Sequence, residues 1–123
     1  DLNLDEKYNI EGIHLSYEIF KSLNKNIREK LIKKYKRIGV SIHSLEEAKD
    51  VENLGATYVV AGHIFETDCK KDLKPRGLIF IKQLSSTLTI PIFAIGGINQ
   101  GNSSLVIDSG AFSVCMMSSM MKY

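Results

Sequence analysis

Tyr58-Val59-Val60-Ala61-Gly62-His63-Ile64-Phe65-Glu66-Thr67-Asp68-Cys69-Lys70-Lys71-Asp72-Leu73-Lys74-Pro75-Arg76-Gly77-Leu78 runs from apolar residues through glycine and histidine into a lysine-rich polar loop. β-Branched residues without alternation are the pattern of a strand buried on both faces, as in parallel sheets covered by helices. In α/β proteins the chemistry gathers at the carboxyl ends of such strands, which is where His63 and the loop cations fall.

Outward from this stretch, strand and helix patterns alternate. Upstream, residues 2–8 can form a short helix and Ile10 to Leu15 reads as a strand. Residues 16–35 place Ile19, Phe20, Leu23, Ile27, Leu31 and Ile32 at spacings of three and four, one helical stripe. Arg37 to Ile42 is a strand, and Ser44 with Glu47 three residues on is a capping-box pattern opening a helix that runs to Leu54 and stops at Gly55. Thr57 to Ala61 is the strand of the opening stretch. Beyond the lysine-rich loop, Leu78 to Leu84 is helical and Ile90 to Ile95 is a strand. Gly96-Gly97 and Asn99 open a short helix through Asp108, and Phe112 to Met117 forms a last strand ending in Ser118-Ser119. Five strands joined by helical crossovers predict an α/β fold with a parallel sheet, whose right-handed connections place every strand's carboxyl end on one rim. His14, Ser16, Ser41, His43, His63, Thr67, Lys70, Gly96, Gly97, Ser118 and Ser119 all fall there.

With 123 residues the chain bounds one domain, about half of the roughly 250 that a complete (β/α)₈ barrel uses. A composition 44% hydrophobic and 24% charged is that of a soluble globular protein. Sixteen basic residues against fourteen acidic give +2, too balanced for a nucleic-acid footprint. The basic residues between Lys21 and Arg37 read as the solvated face of an amphipathic helix, with few aromatics interleaved for base stacking. Cys69 and Cys115 have neither zinc-type spacing nor a disulfide framework, which fits a reducing cytoplasm. No apolar run reaches a membrane-spanning length, and the acidic opening residues lack signal-peptide character, so neither membrane nor nucleic acid is expected as a partner.

Three rim features carry chemistry. Gly96-Gly97 after a buried strand can free backbone amides for an anion, and Ser118-Ser119 on the next strand adds hydroxyls, a pairing that favours phosphate. His63 can move protons near neutral pH. The loop Thr67-Asp68-Cys69-Lys70-Lys71 can close its cations over an anionic substrate. His14 and His43 follow apolar strand cores and read as structural, and Met116, Met117, Met120 and Met121 as core filling.

The segments Gly39-Val-Ser-Ile-His-Ser44-Leu-Glu-Glu-Ala48, Gly55-Ala-Thr-Tyr-Val-Val60, Gly62 to Lys71, Pro75-Arg-Gly77 and Ile90 to Ile98, in that order, resemble the thiamine phosphate synthase/TenI superfamily. The resemblance implies a single partial TIM-barrel domain over residues 1–123, covering about strands 4 to 8, with a thiazole phosphate bound at the rim. Synthases of this superfamily join a pyrimidine diphosphate to the thiazole phosphate with magnesium. They usually carry proline where this chain has His63, and an aspartate magnesium ligand where Ser16-Tyr17-Glu18-Ile19 ends in isoleucine. An apolar side chain cannot serve a cation that requires oxygen ligands. These departures point to the TenI branch: a thiazole tautomerase, an isomerase with no cofactor, in which His63 is the acid/base that aromatises a carboxythiazole phosphate. Gly96, Gly97 and Ser118 hold the phosphate, and Ser41, Thr67 and Lys70 lie near the same ligand. The alternatives are the synthase, which would use magnesium, and a non-catalytic regulatory or phosphate-binding protein. Five strands leave sheet edges and an inner face uncovered, so a truncated chain or a homodimer is expected.

Overall fold

The computed structural model describes residues 12–62, 64–65 and 77–115. Ten elements alternate along it: β1 (Gly12–Ser16), α1 (Tyr17–Ser22), α2 (Lys25–Lys34), β2 (Arg37–Ile42), α3 (Leu45–Asn53), β3 (Tyr58–Ala61), α4 (Gly77–Thr87), β4 (Ile92–Ile95), α5 (Ser103–Asp108) and β5 (Ser113–Cys115). The five strands pair in parallel in the order β1-β2-β3-β4-β5. A strand order that never reverses keeps every right-handed crossover on the same face of the sheet. That is barrel winding, unlike the doubly wound sheets whose order reverses at a switch point. The fold is therefore an open segment of a (β/α)₈ barrel.

The two faces of the sheet differ as this winding requires. Ile38, Val40 and Ile42 of β2, Val59 and Ala61 of β3, and Ile92 and Ala94 of β4 are buried beneath the helices. They pack with Phe20 of α1, Val51 of α3, Ile81 and Leu84 of α4 and Val106 of α5. The opposite, inner face carries Tyr58, Val60, Phe93 and Ile95, all only partly buried. The expectation that β3 is buried on both faces is thus corrected: its side chains alternate, because helices cover one face only among the described residues.

Residues 16–35 form two helices where the sequence predicts one. Leu23 takes an extended conformation, and the Asn24 Oδ1 accepts a hydrogen bond from the Ile27 amide at 2.9 Å, so a new helix starts there. Arg28 reaches back to the Leu23 carbonyl at 2.7 Å and satisfies the end of α1. The break divides the apolar stripe. Phe20 and Leu31 are buried, whereas Ile19, Ile27 and Ile32 are exposed.

Ser44 caps α3 as predicted, its Oγ accepting from the Glu47 amide at 3.1 Å. The Glu47 carboxylate reaches one residue further back than a capping box requires, taking the His43 amide at 2.9 Å. At the far end of α3, the Glu52 Oε2 accepts from the Thr89 amide at 2.7 Å, the Thr89 hydroxyl at 3.0 Å and the Ile90 amide at 3.2 Å. This clamp ties α3 to the turn that feeds β4. No helix among the described residues is long and apolar enough to cross a membrane.

Candidate functional site

The turn after β4 is built around two glycines. Gly96 (φ 104°) and Gly97 (φ 67°) both lie in the left-handed region, which a residue with a Cβ enters only at a cost. The Gly96 carbonyl accepts from the Phe65 amide at 3.0 Å, and the Gly97 carbonyl from the Asn102 Nδ2 at 3.0 Å. Both carbonyl oxygens are thereby committed within the fold.

The rest of the turn is held by two asparagines. Asn102 Oδ1 accepts from the Asn99 amide at 2.8 Å, and Asn99 Oδ1 accepts from the Gly101 amide at 2.8 Å. Side chains that mimic the backbone in this way favour turns over helix. Accordingly α5 begins at Ser103 and not at Asn99 as predicted.

On β2, Ser41 lies on the inner face, in register with Ser16 of β1 and Val60 of β3. Its Oγ is 2.7 Å from His14 Nε2. Desolvation lowers the His14 pKa from its ordinary value, which favours the neutral imidazole. Tyr58 backs this histidine, with ring centroids 6.2 Å apart, and Phe93 and then Phe112 continue the row at 5.1 and 5.6 Å. Tyr58 can lie there because residue 39 is glycine: a Cβ on Gly39 would sit 2.0 Å from the Tyr58 Cζ. A hollow of about 640 Å³, lined by Arg37, Tyr58, Pro91, Phe93 and Phe112 among others, lies towards the amino ends of the strands, away from the rim.

Of the predicted site residues, Ser41, Gly96 and Gly97 stand on the carboxyl rim of the sheet, on β2 and directly after β4. His63, Thr67, Lys70 and Ser118 lie outside the described residues. The sequence reading assigns His14 a structural role, yet the structure joins it to a candidate residue. The signal available was the period of two: His14 and Ser16 share the inner face of β1, as Gly39 and Ser41 share that of β2. His43 answers to a structural role, its amide and Nδ1 both turned to Glu47 at 2.9 and 3.6 Å.

The hydroxyls of the Ser16-Tyr17-Glu18-Ile19 segment are engaged within the fold, and Glu18 is its one carboxylate. Ser16 Oγ caps α1 by accepting from the Ile19 amide at 3.2 Å, and Tyr17 donates its hydroxyl to Asp50 at 2.8 Å. Ile19 offers hydrocarbon, and the described residues contain no group of three or more His, Cys, Asp or Glu able to hold a metal.

The family model described as thiamine monophosphate synthase matches residues 1–120. The thiamine-phosphate synthase of Halalkalibacterium halodurans is 39% identical over 109 residues, 88% of this chain and 50% of the relative. That of Clostridium acetobutylicum is 36% identical over 110 residues, 89% of this chain and 51% of the relative. The chain thus spans about half the length of the curated relatives it matches. Among solved structures, the thiamine phosphate pyrophosphorylase from Pyrococcus furiosus superposes with a TM-score of 0.73 at 29% identity, covering 93% of this chain and 52% of that one. The N-acetylmannosamine-6-phosphate 2-epimerase from Clostridium perfringens shares the fold, with a TM-score of 0.68 at 22% identity.

These relatives overturn the expectation of a thiazole tautomerase, an isomerase of the TenI branch, in favour of its synthase alternative. Two substituted positions, His63 and Ile19, weigh less than agreement along 109 and 110 residues with proteins named as synthases. One of the two, Ile19, is a 52% exposed position on α1, the kind of site where a substitution is tolerated with little consequence for the fold. The chain belongs to the thiamine monophosphate synthase family.

Proposed function

We propose that the barrel to which this chain belongs is a thiamine-phosphate synthase, a transferase, and that this chain supplies the rim that receives the thiazole phosphate. In the transfer, the bond from the pyrimidine methylene carbon to the diphosphate oxygen breaks, the thiazole nitrogen bonds to that carbon, and pyrophosphate leaves. The observation that carries the reading is the Gly96-Gly97 turn, with both carbonyls already bonded inside the fold. A phosphate is repelled by carbonyl lone pairs and attracted by amides, so a turn whose carbonyls are engaged elsewhere suits an anion. Ser41 adds a hydroxyl on the same rim, and Ser118, Thr67 and Lys70 are proposed with it from the family resemblance. Anchoring the phosphate fixes the ring nitrogen relative to the methylene carbon, and this positioning is the chain's share of the catalysis.

The described residues do not form a magnesium site. Pairing with a second copy, one of the two arrangements expected from the sequence, would be read by sedimentation velocity as a doubled mass.

The test is formation of thiamine phosphate by the barrel to which this chain belongs, from hydroxymethylpyrimidine diphosphate and thiazole phosphate in magnesium buffer, read as thiochrome fluorescence. Product that disappears with Gly96→Val is expected. A folded barrel that makes none overturns the reading.

A further inference from the structure

Ser41 does not stand alone on the rim. Its hydroxyl oxygen meets His14 Nε2 at 2.7 Å, a short and direct contact between side chains on adjacent strands. A serine hydroxyl has one proton to donate and lone pairs to accept with. If the imidazole accepts, the serine proton is consumed and only lone pairs face the site, which disfavours an anion. If Nε2 carries the hydrogen and donates, the serine proton is left for an oxygen outside the pair.

The surroundings hold the imidazole beside Ser41 and leave both arrangements open to it. His14 is on β1 with Gly39 as its register partner on β2. The missing side chain at Gly39 lets the Tyr58 ring cross β2 and back the imidazole, and Phe93 backs Tyr58 in turn at 5.1 Å. An imidazole packed on an aromatic row has fewer orientations to lose when it makes a hydrogen bond. The neutral ring can take either tautomer, and an anion at the rim favours the one that leaves Ser41 free to donate.

We propose that His14 is a positioning residue: through Nε2 it holds the Ser41 hydroxyl as a donor to an anionic substrate oxygen, supported by Tyr58 in the space Gly39 leaves. This rests on the synthase reading above, in which the rim receives phosphorylated substrates and releases pyrophosphate. His14 itself touches no substrate in this scheme. Its effect passes entirely through Ser41, and the consequences of removing either residue therefore overlap.

The test is a double-mutant cycle, with inorganic pyrophosphate titrated calorimetrically into the folded chain. His14→Leu and Ser41→Ala are each expected to weaken binding about tenfold, the scale of one hydrogen bond to a charged group. The double variant is expected to be no weaker than Ser41→Ala alone. His14→Gln, whose amide nitrogen reaches where Nε2 stands, is expected to restore binding to within about twofold of the parent.

Side-chain ¹⁵N shifts give a second readout that does not depend on affinity. In the ligand-free chain Ser41→Ala shifts the His14 Nε2 resonance, and in the pyrophosphate complex of the parent Nε2 is the protonated nitrogen. Should His14→Leu fail to fold, His14→Gln and the ¹⁵N shifts still decide the matter. Binding by the parent with additive losses, with no loss in His14→Leu, or with Nδ1 as the protonated nitrogen in the complex overturns the role of His14 and leaves the synthase reading standing. A folded parent that binds thiazole phosphate but no pyrophosphate overturns the role of His14 alone, and one that binds neither overturns the synthase reading at the rim as well.

Discussion

Gly39→Ala perturbs the site through one atom. The added Cβ would meet the Tyr58 ring at 2.0 Å from Cζ and 2.3 Å from Cε2, where ordinary contact begins at 3.4 Å, so the ring must retreat by about 1.4 Å. Overpacking in a core costs about 1–3 kcal/mol. Here the ring can swing over the open inner face, which puts the cost near the lower end. To that is added part of two aromatic contacts, to His14 at 6.2 Å and Phe93 at 5.1 Å, each worth about 0.5–1.5 kcal/mol when intact. A loss of about 1–2 kcal/mol in urea unfolding, followed by circular dichroism, is therefore expected. It should be accompanied by disappearance of the nuclear Overhauser contacts between the Tyr58 and His14 rings. An unchanged unfolding midpoint with those contacts intact would refute the placement of Tyr58 across Gly39.

Three further outcomes follow from the fold. Phe20→Ala empties a fully buried position beneath Arg28, whose guanidinium carbon lies 5.6 Å from the ring centroid, and should cost about 3–5 kcal/mol by urea titration. Ser44→Ala removes the cap of α3 and should cost about 1 kcal/mol, with Ser44→Asp recovering most of it. His14 has a folded-state pKa below its unfolded value of 6.5. The unfolded chain then binds the proton first on acidification, so stability is level above pH 6.5 and falls as the pH drops towards the folded pKa. His14→Gln should flatten that part of a stability profile measured from pH 8 to 5.

The parallel sheet and its rim were legible because strand cores such as Val40-Ser41-Ile42 and Val59-Val60-Ala61 carry their signal locally. The α3 cap was legible for the same reason, since Ser44 and Glu47 lie within one turn. The break at Leu23 and Asn24 was harder to read. An apolar spacing of three and four continues across it, and only the competing cap of Asn24 shows that the helix restarts. The start of α5 was misplaced because Asn99 and Asn102 spend their side chains on the turn. Pairing of His14 with Ser41 links residues 27 apart and depends on strand register and on Tyr58 filling the gap at Gly39. No local spacing encodes either. The branch of the family was misjudged because two positions were given the weight of a site, while similarity to the synthases is spread along the whole chain.

The measurement that bears most directly on the account is an amide NMR titration of the ¹⁵N-labelled chain with thiazole phosphate. Saturable shifts concentrated at Ser41, Gly96 and Gly97 are predicted. Saturation with no shift at those three residues, or no saturation at all in the folded chain, would contradict the assignment of the rim as the phosphate site of a thiamine-phosphate synthase.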